Sequence, residues 1–303
     1  MKYRADIGII GGTGVYGVEG MKVVDKISVK TPWGKPSDEI TIATFTPTVQ
    51  ASAGTSNEGE PLTLAFVPRH GKGHFTPPTK IPARANIAAL KLLGCEALIA
   101  FSAVGSLKEE IAPGHFVLPD QIIDRTRHRG DTYFDEGIVV HVSFGDPMDA
   151  GLAGILAQAI RQLSLPLHEK ETLICMEGPQ FSTRAESKLY KSWGGGIINM
   201  SVLPEAKLAR ELELPYQMIC MATDYDSWRE HDHAVTADEI MAVVKKNSDN
   251  AQRVLKAALP ALAAKKGQLN NLKGSVKFGI ITAPEKRPAK LVKKYNTVLP
   301  GTF

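Results

Sequence analysis

The chain is predicted to be an α/β protein: a single domain with a central mixed, largely parallel β-sheet flanked by helices. Three observations carry this prediction. Short apolar, β-branched runs alternate with stretches of helical period along 303 residues. No Pro/Ser/Gly linker and no internal repeat divides the body. With 43% hydrophobic residues, the chain can bury one large core.

The predicted strands, in order, are Asp6–Gly11, Lys22–Val29, Glu39–Phe45, Leu62–Val67, Ala97–Ser102, His115–Pro119, Thr172–Met176, Gly196–Met200 and Tyr216–Ala222. Helices are predicted over Pro82–Leu93 and Met148–Leu163, and over Arg184–Trp193 behind a Thr183/Glu186 capping box. Pro204–Glu213 carries its proline in the first turn. A Thr236/Glu239 box opens a last long helix, expected to stop before Pro260. Two segments look added to this core. Pro47–Pro61 reads as a hairpin loop, and Lys265–Phe303, with nine Lys/Arg against the single acid Glu285, as a basic tail, partly extended or disordered.

The net charge of +4 is small and gathered in that tail. Solvated or subunit-packing lysines explain it better than a nucleic-acid surface, since the tail's aromatics, Phe278, Tyr295 and Phe303, are too sparse to interleave with its basic residues. No run approaches the ~18 apolar residues of a membrane helix, and the N-terminus leads into a strand without a secretory apolar region, so a cytoplasmic protein is expected. Cys95, Cys175 and Cys220 lie singly in apolar stretches, without zinc or redox spacing.

Three clusters carry chemistry. Gly11-Gly12-Thr13-Gly14 ends a strand in a glycine turn that can cradle an anion through backbone N–H groups. Gly12, Gly14 and Gly17 also fit a dinucleotide fingerprint, which leaves an NAD-dependent oxidoreductase as an alternative. An alternating strand pattern follows, however, where that fingerprint needs a helix. Arg69-His70-Gly71-Lys72-Gly73-His74 follows another strand with groups suited to phosphate and to proton handling. Glycines between His70 and His74 argue against a metal pair, and no metal is expected. Asp224-Tyr225-Asp226 ends an apolar strand. Residues two apart on an extended segment face the same way, so two carboxylates can serve one pocket, one as proton donor and one as acceptor.

Taken in order, Gly11–Gly14, Thr31–Asp38, Arg69–Gly71, Ala103–Leu107, Glu177–Ser182, Asn199–Glu205 and Ala222–Asp226 resemble the trimeric purine nucleoside phosphorylase family, on the side of its methylthioadenosine-cleaving members. The resemblance runs from Asp6 to about Leu262 and implies the nucleoside phosphorylase fold over residues 1–264, with residues 265–303 as a C-terminal tail or extension. It implies a pentosyltransferase that converts 5'-methylthioadenosine and phosphate to adenine and 5-methylthioribose 1-phosphate in purine and methionine salvage, with no cofactor beyond phosphate as co-substrate.

Carried over by position, the phosphate site would be Thr13, Arg69, His70, Ser102, Ala103 through its backbone, and Ser201; Ser102 and Ser201 stand where animal members have Thr. Met200 would lie on the ribose and Phe181 and Ser182 on the base, with Asp224 at the purine N7 and Asp226 at the exocyclic amine. His74, Ala237, Ile240 and Met241 would line the 5' pocket, with His141 reaching over from a neighbouring subunit of a homotrimer. Asp224, Ser201 and His70 would carry the catalysis. Members acting on 6-oxopurines carry Asn at the position of Asp224, so 6-oxopurine nucleosides are the alternative substrate class.

Overall fold

The computed structural model describes residues 2–11, 20–50, 56–229 and 237–303; for 48–50, 56–58 and 237–241 the backbone alone is described. The strands are β1 (Ile7–Gly11), β2 (Lys22–Ile27), β3 (Ile40–Phe45), β4 (Thr48–Gln50), β5 (Ser56–Glu58), β6 (Leu62–Pro68), β7 (Ala97–Ser106), β8 (Phe116–Arg125), β9 (Leu167–Met176), β10 (Gly195–Asn199) and β11 (Tyr216–Tyr225). The helices are α1 (Ala83–Leu93), α2 (Ala150–Gln162), α3 (Arg184–Ser192), α4 (Val202–Glu211), α5 (Ala237–Ala264) and α6 (Ala289–Asn296).

The nine predicted strands build one nine-stranded mixed sheet, ordered β10-β9-β8-β11-β7-β1-β6-β3-β2, and β10 also pairs with β7. Strands β7, β11, β8, β9 and β10 therefore close on one another, while β1, β6, β3 and β2 form an open wing. At the centre β1 runs parallel to both β6 and β7, and every residue of β1 is buried. Burial on both faces makes such a strand a continuous apolar run. Ile10, Leu98 and Ala100 face the core beneath α1 and α4; Ile7, Ile9, Ile99 and Phe101 face the core beneath α2 and α5. The expected hairpin in Pro47–Pro61 forms from the antiparallel pair β4–β5.

Four strands outrun their predicted ends by three residues or more, among them β11, which runs on through Thr223, Asp224 and Tyr225. β7 continues through Ala103, Val104, Gly105 and Ser106, β8 through Asp120, Gln121 and Asp124, and β9 begins at Leu167, ahead of Glu169, Lys170 and Glu171. The hydrogen-bond ladder persists where the apolar pattern stops. Pro119 breaks the register of β8 against β9 on both sides because it has no N–H to give.

The predicted capping box of α3 and the proline start of α4 are found, and two further helix ends are fixed by residues not singled out in the sequence, Asp149 and Gly94. Asp149 caps α2 by accepting from the Leu152 N–H at 2.8 Å. Thr183 and Glu186 form the full capping box of α3. Gly94 ends α1 at φ 93°, a conformation that favours glycine. Leu203 is non-helical, so continuous helix in α4 starts at Pro204. Pro260 does not stop the last helix, which runs to Ala264. One missing N–H late in the helix costs a single bond, while Leu259 and Leu262 stay buried on either side of it.

The basic segment is not extended or disordered. Val276, Leu291, Tyr295, Val298 and Leu299 are buried in the main core, and Trp33 of the Thr31–Asp38 motif stacks on Tyr295 at 6.4 Å. Glu213 fastens this segment, accepting the N–H groups of Gly274 at 2.7 Å and Val276 at 2.9 Å through its carboxylate. Its apolar residues are too sparse to give a periodic signal.

Next to it, Glu211 is buried and accepts from Thr132 Oγ1 and from the Tyr133 N–H, both at 2.6 Å. Burial pushes its carboxyl up to about 7. The folded pKa lies above the unfolded one, so the linked stability is complete below the unfolded value of 4.5 and is lost as pH rises through about 7. Glu211→Gln is expected to flatten the fall in Tm from about pH 5 to about pH 8.5, since Gln cannot ionise and the Thr132 hydroxyl can turn to suit it. Melting curves across that range check this; equal slopes in both proteins refute it.

Candidate active site

The carboxyl ends of β6, β7, β10 and β11 and the Met200–Ser201 turn that leads into α4 surround a cavity of about 860 Å³. This is where parallel α/β sheets collect ligands. Ala103 is exposed on the otherwise mostly buried β7 and opens on this cavity. Arg69, His70, His74, Ser102, Phe181, Met200, Ser201, Asp224 and Asp226 also line it. Ten of the residues singled out in the sequence thus share one space, although they come from five separate segments.

On one side, Ser102 and Ser201 are buried with their hydroxyl oxygens 3.1 Å apart. Asn199 Nδ2 donates to Ser102 Oγ at 3.1 Å and to Ser201 Oγ at 3.3 Å. His70 donates from Nδ1 to the Thr76 carbonyl at 2.8 Å, because a carbonyl can only accept. That bond fixes the tautomer and gives Nε2 the lone pair. Burial, helped by the charges of Arg69, His74 and Arg129, pushes the imidazole down to about 4, so His70 is neutral at pH 7. The His74 ring stacks on His70 at 4.0 Å, and His74 itself holds φ 56° directly after the left-handed glycines Gly71 and Gly73.

Arg69 departs from the simple picture of a fork open to an anion. It is 1% exposed; Nε donates to Glu205 Oε1 at 2.6 Å and Nη2 to Oε2 at 3.1 Å, while Nη1 donates to the Phe101 carbonyl at 2.8 Å. The bidentate partner is a carboxylate 136 residues away, itself held by Tyr216 Oη at 2.9 Å. Arg69 therefore reaches the cavity wall as half of a buried ion pair.

Across the cavity stand the aspartates. A register shift in β11 between Ala222 and Asp224 turns the strand end, and Thr223 Oγ1 donates to Asp224 Oδ1 at 2.6 Å. Asp226 is 6% exposed, and its Oδ2 has no hydrogen-bond partner among the described residues. Gly105 makes the approach possible: a Cβ there would lie 3.4 Å from Asp226 Cβ and 3.1 Å from Ile198 Cγ2. At the mouth Phe181 is 82% exposed, and Met200 Sδ sits 2.4 Å from where a Cβ on Gly178 would be.

Six of the predicted site residues are placed elsewhere or fall outside the described residues. Ser182 is buried behind the wall, with its Oγ on Met176 Sδ at 3.6 Å and its carbonyl accepting from Ser227 Oγ, so its hydroxyl does not line the cavity. His141 is exposed, on the segment bridged to Ile280, and is not part of this chain's own cavity wall. Thr13 lies outside the described residues, as do the side chains of Ala237, Ile240 and Met241. From α5 the wall receives Val244, Asn247 and Ser248, which the sequence did not single out.

The sequence also gave no role to Arg129. Its Nη1 donates to the carbonyls of Met200 and Leu203, both at 2.6 Å, and its Nη2 to those of Glu177 at 2.6 Å and Met176 at 3.2 Å. It thereby ties the Met200–Leu203 turn, which carries Ser201, to the end of β9. Glu177 anchors the assembly in turn. Burial alone would raise its carboxyl, but bonds from Thr79 Oγ1 and the Arg127 and His128 N–H groups, with the charge of Arg129, bring it down to about 2.

The chain is 48% identical over 303 residues to the S-methyl-5'-thioadenosine phosphorylase of Aspergillus fumigatus, covering 97% of this chain and 86% of that protein. The crystal structure of a methylthioadenosine phosphorylase sourced from an Antarctic soil metagenomic library superposes with a TM-score of 0.87 at 39% identity, covering 98% of this chain and 99% of that one. The methylthioadenosine phosphorylase of Schistosoma mansoni, in complex with adenine, gives a TM-score of 0.79 at 31% identity, over 92% and 99% of the two chains. The model of the phosphorylase superfamily matches residues 6–260, and the chain belongs to that superfamily.

Proposed function

We propose that the chain cleaves S-methyl-5'-thioadenosine by phosphorolysis, giving adenine and 5-methylthioribose 1-phosphate. The observation that carries the choice of base is the buried, unpartnered Oδ2 of Asp226 beside Asp224, both on the same cavity wall. A carboxylate oxygen without a donor calls for one, and the exocyclic amine of adenine supplies it where a 6-oxopurine offers only an acceptor. The Schistosoma mansoni neighbour holds adenine.

Phosphate is held by Ser102, Ser201, the Ala103 backbone, Arg69 and, from the sequence, Thr13. Neutral His70 accepts at Nε2 the hydrogen of a monoprotonated phosphate. The glycosidic bond breaks with its electron pair moving to the purine, Asp224 supports charge and proton at N7, and a phosphate oxygen closes on C1'. The phosphate charge beside the cationic sugar stabilises the transition state; no metal or organic cofactor takes part. Met200 and Phe181 cover ribose and base.

The assembly is a cytoplasmic homotrimer in which the exposed His141 completes the 5' pocket of the next subunit. No helix among the described residues is long and apolar enough to cross a membrane. Adenine release from methylthioadenosine is expected to saturate with phosphate and to fall at least about 100-fold without it. A rate independent of phosphate overturns the reading in favour of hydrolysis.

A further inference from the structure

We infer that Asn199 is a positioning residue for phosphate, which holds the lone-pair side of the Ser102 and Ser201 hydroxyls so that both can turn their protons to the anion. The inference rests on the reading of that serine pair as the phosphate site. Asn199 is the last residue of β10, 6% exposed, and lines the cavity without being one of the groups assigned to bind ligand.

Its amide orientation is set by the main chain. Asn199 Oδ1 accepts from the Ser201 N–H at 3.3 Å and the Val202 N–H at 3.4 Å, which are donors only, so Nδ2 must be the edge turned to the serines. Nδ2 then reaches both hydroxyl oxygens, at 3.1 and 3.3 Å, and beside them the weaker acceptor Met218 Sδ at 3.3 Å. Ser102 Oγ gives its own proton to the Ala103 carbonyl at 2.9 Å, which leaves Ser201 as the donor in the 3.1 Å contact between the two hydroxyls. In this state the hydroxyl protons run Ser201 to Ser102 to Ala103, and Asn199 donates into both oxygens from the side.

Rotation about each Cβ–Oγ bond aims the two protons at an arriving phosphate. Neither oxygen is stripped of a donor when this happens, because the Asn199 bonds are made by the other face. Ser102 and Ser201 are 7% and 8% exposed, too buried for water to take the place of the amide. An acceptor at position 199 reverses the arrangement: it draws both hydroxyl protons away from the anion and presents oxygen lone pairs to it.

Asn199→Asp makes that reversal with little change of shape, since a carboxylate still accepts from the Ser201 and Val202 N–H groups. The expected result is a rise of at least about 30-fold in the KM for phosphate, with the KM for methylthioadenosine within about threefold of wild type. Asn199→Ala, which removes the donor without adding a competitor, is expected to raise the phosphate KM about 5- to 10-fold; should the Asp variant not fold, the Ala variant carries the test alone. A merely structural role would move both KM values together, or lower kcat with neither KM changed, and either pattern overturns the inference. Ser102→Ala and Ser201→Ala are measured beside them. If the serine variants raise the phosphate KM and the Asn199 variants do not, the positioning role is wrong and the phosphate site stands; if the serine variants leave it unchanged, the phosphate site itself is misplaced and the inference falls with it.

Discussion

Arg129→Met is expected to lower kcat/KM for methylthioadenosine by about 100-fold or more and to destabilise the protein by about 3 kcal/mol or more. The side chain is 3% exposed and its guanidinium serves the carbonyls of Met176, Glu177, Met200 and Leu203 together. Methionine fills much of the space and donates nothing, so four carbonyls facing inward lose the guanidinium at once, with only the weak Cys175 thiol donor left on that of Leu203, and buried polar groups without good partners are costly. Glu177 loses its ion-pair partner in the same step. The catalytic loss has a separate route. Met200 and Ser201 sit on the turn that Arg129 ties down, and small displacements of substrate-positioning groups are amplified in rate. Arg129→Lys is expected to recover little, since one ammonium cannot reach the two pairs of carbonyls that the planar fork spans. Thermal melts and steady-state kinetics on both variants check this; a Tm within about 2 °C of wild type together with kcat/KM within about threefold refutes it.

Arg129 also shows where sequence reading stops. The central strands were legible because burial on both faces writes a continuous apolar run, α2 because of its helical period, and α3 because its cap is local: Thr183 serves Glu186. The outer halves of β8 and β9 were not, because strand pairing holds them while their side chains turn polar. The fold of the C-terminal segment was missed for a related reason. A few apolar anchors such as Tyr295 and Val298, set among lysines, fix it to a core made by distant residues.

The site divides along the same line. Arg69, His70, Asp224 and Asp226 announce themselves as chemistry-bearing side chains at strand ends. Asn199, Arg129 and Glu205 act on backbone groups or on other side chains. Their partners lie up to 136 residues away, so neither spacing nor periodicity marks them. Asn199 and Glu205 do sit in the same short run as Met200 and Ser201, and that neighbourhood is the one signal that could have drawn attention to them. The Arg69–Glu205 pair changes the physical picture most. A lone arginine would offer a fork to phosphate, whereas the buried pair brings little net charge, which moves the task of holding the anion toward neutral donors such as Ser102 and Ser201.

Asp224→Asn is expected to reduce the preference for methylthioadenosine over methylthioinosine, measured as the ratio of their kcat/KM values, by about 100-fold or more. The local geometry accepts the change: Thr223 Oγ1, 2.6 Å from Asp224 Oδ1, donates to an amide oxygen as readily as to a carboxylate. What changes is the other edge of the side chain. A carboxyl can pass a proton to N7 as the glycosidic bond breaks, while an amide can only donate a hydrogen bond, so departure of adenine slows. The amide is better placed for a 6-oxopurine, whose carbonyl accepts from an N–H donor and is repelled by a carboxylate. Asp226→Asn separates recognition from proton transfer. Its Oδ2 is the unpartnered oxygen, and an amide can still turn an oxygen toward the exocyclic amine at the cost of placing its own N–H groups against Gly105. A smaller loss, about 10-fold in the same ratio, is therefore expected there. If Asp224→Asn leaves the ratio unchanged while lowering both rates alike, Asp224 acts in departure of any purine and the preference for a 6-amino base belongs to Asp226 alone. If neither variant moves the ratio, the aspartates do not read the base.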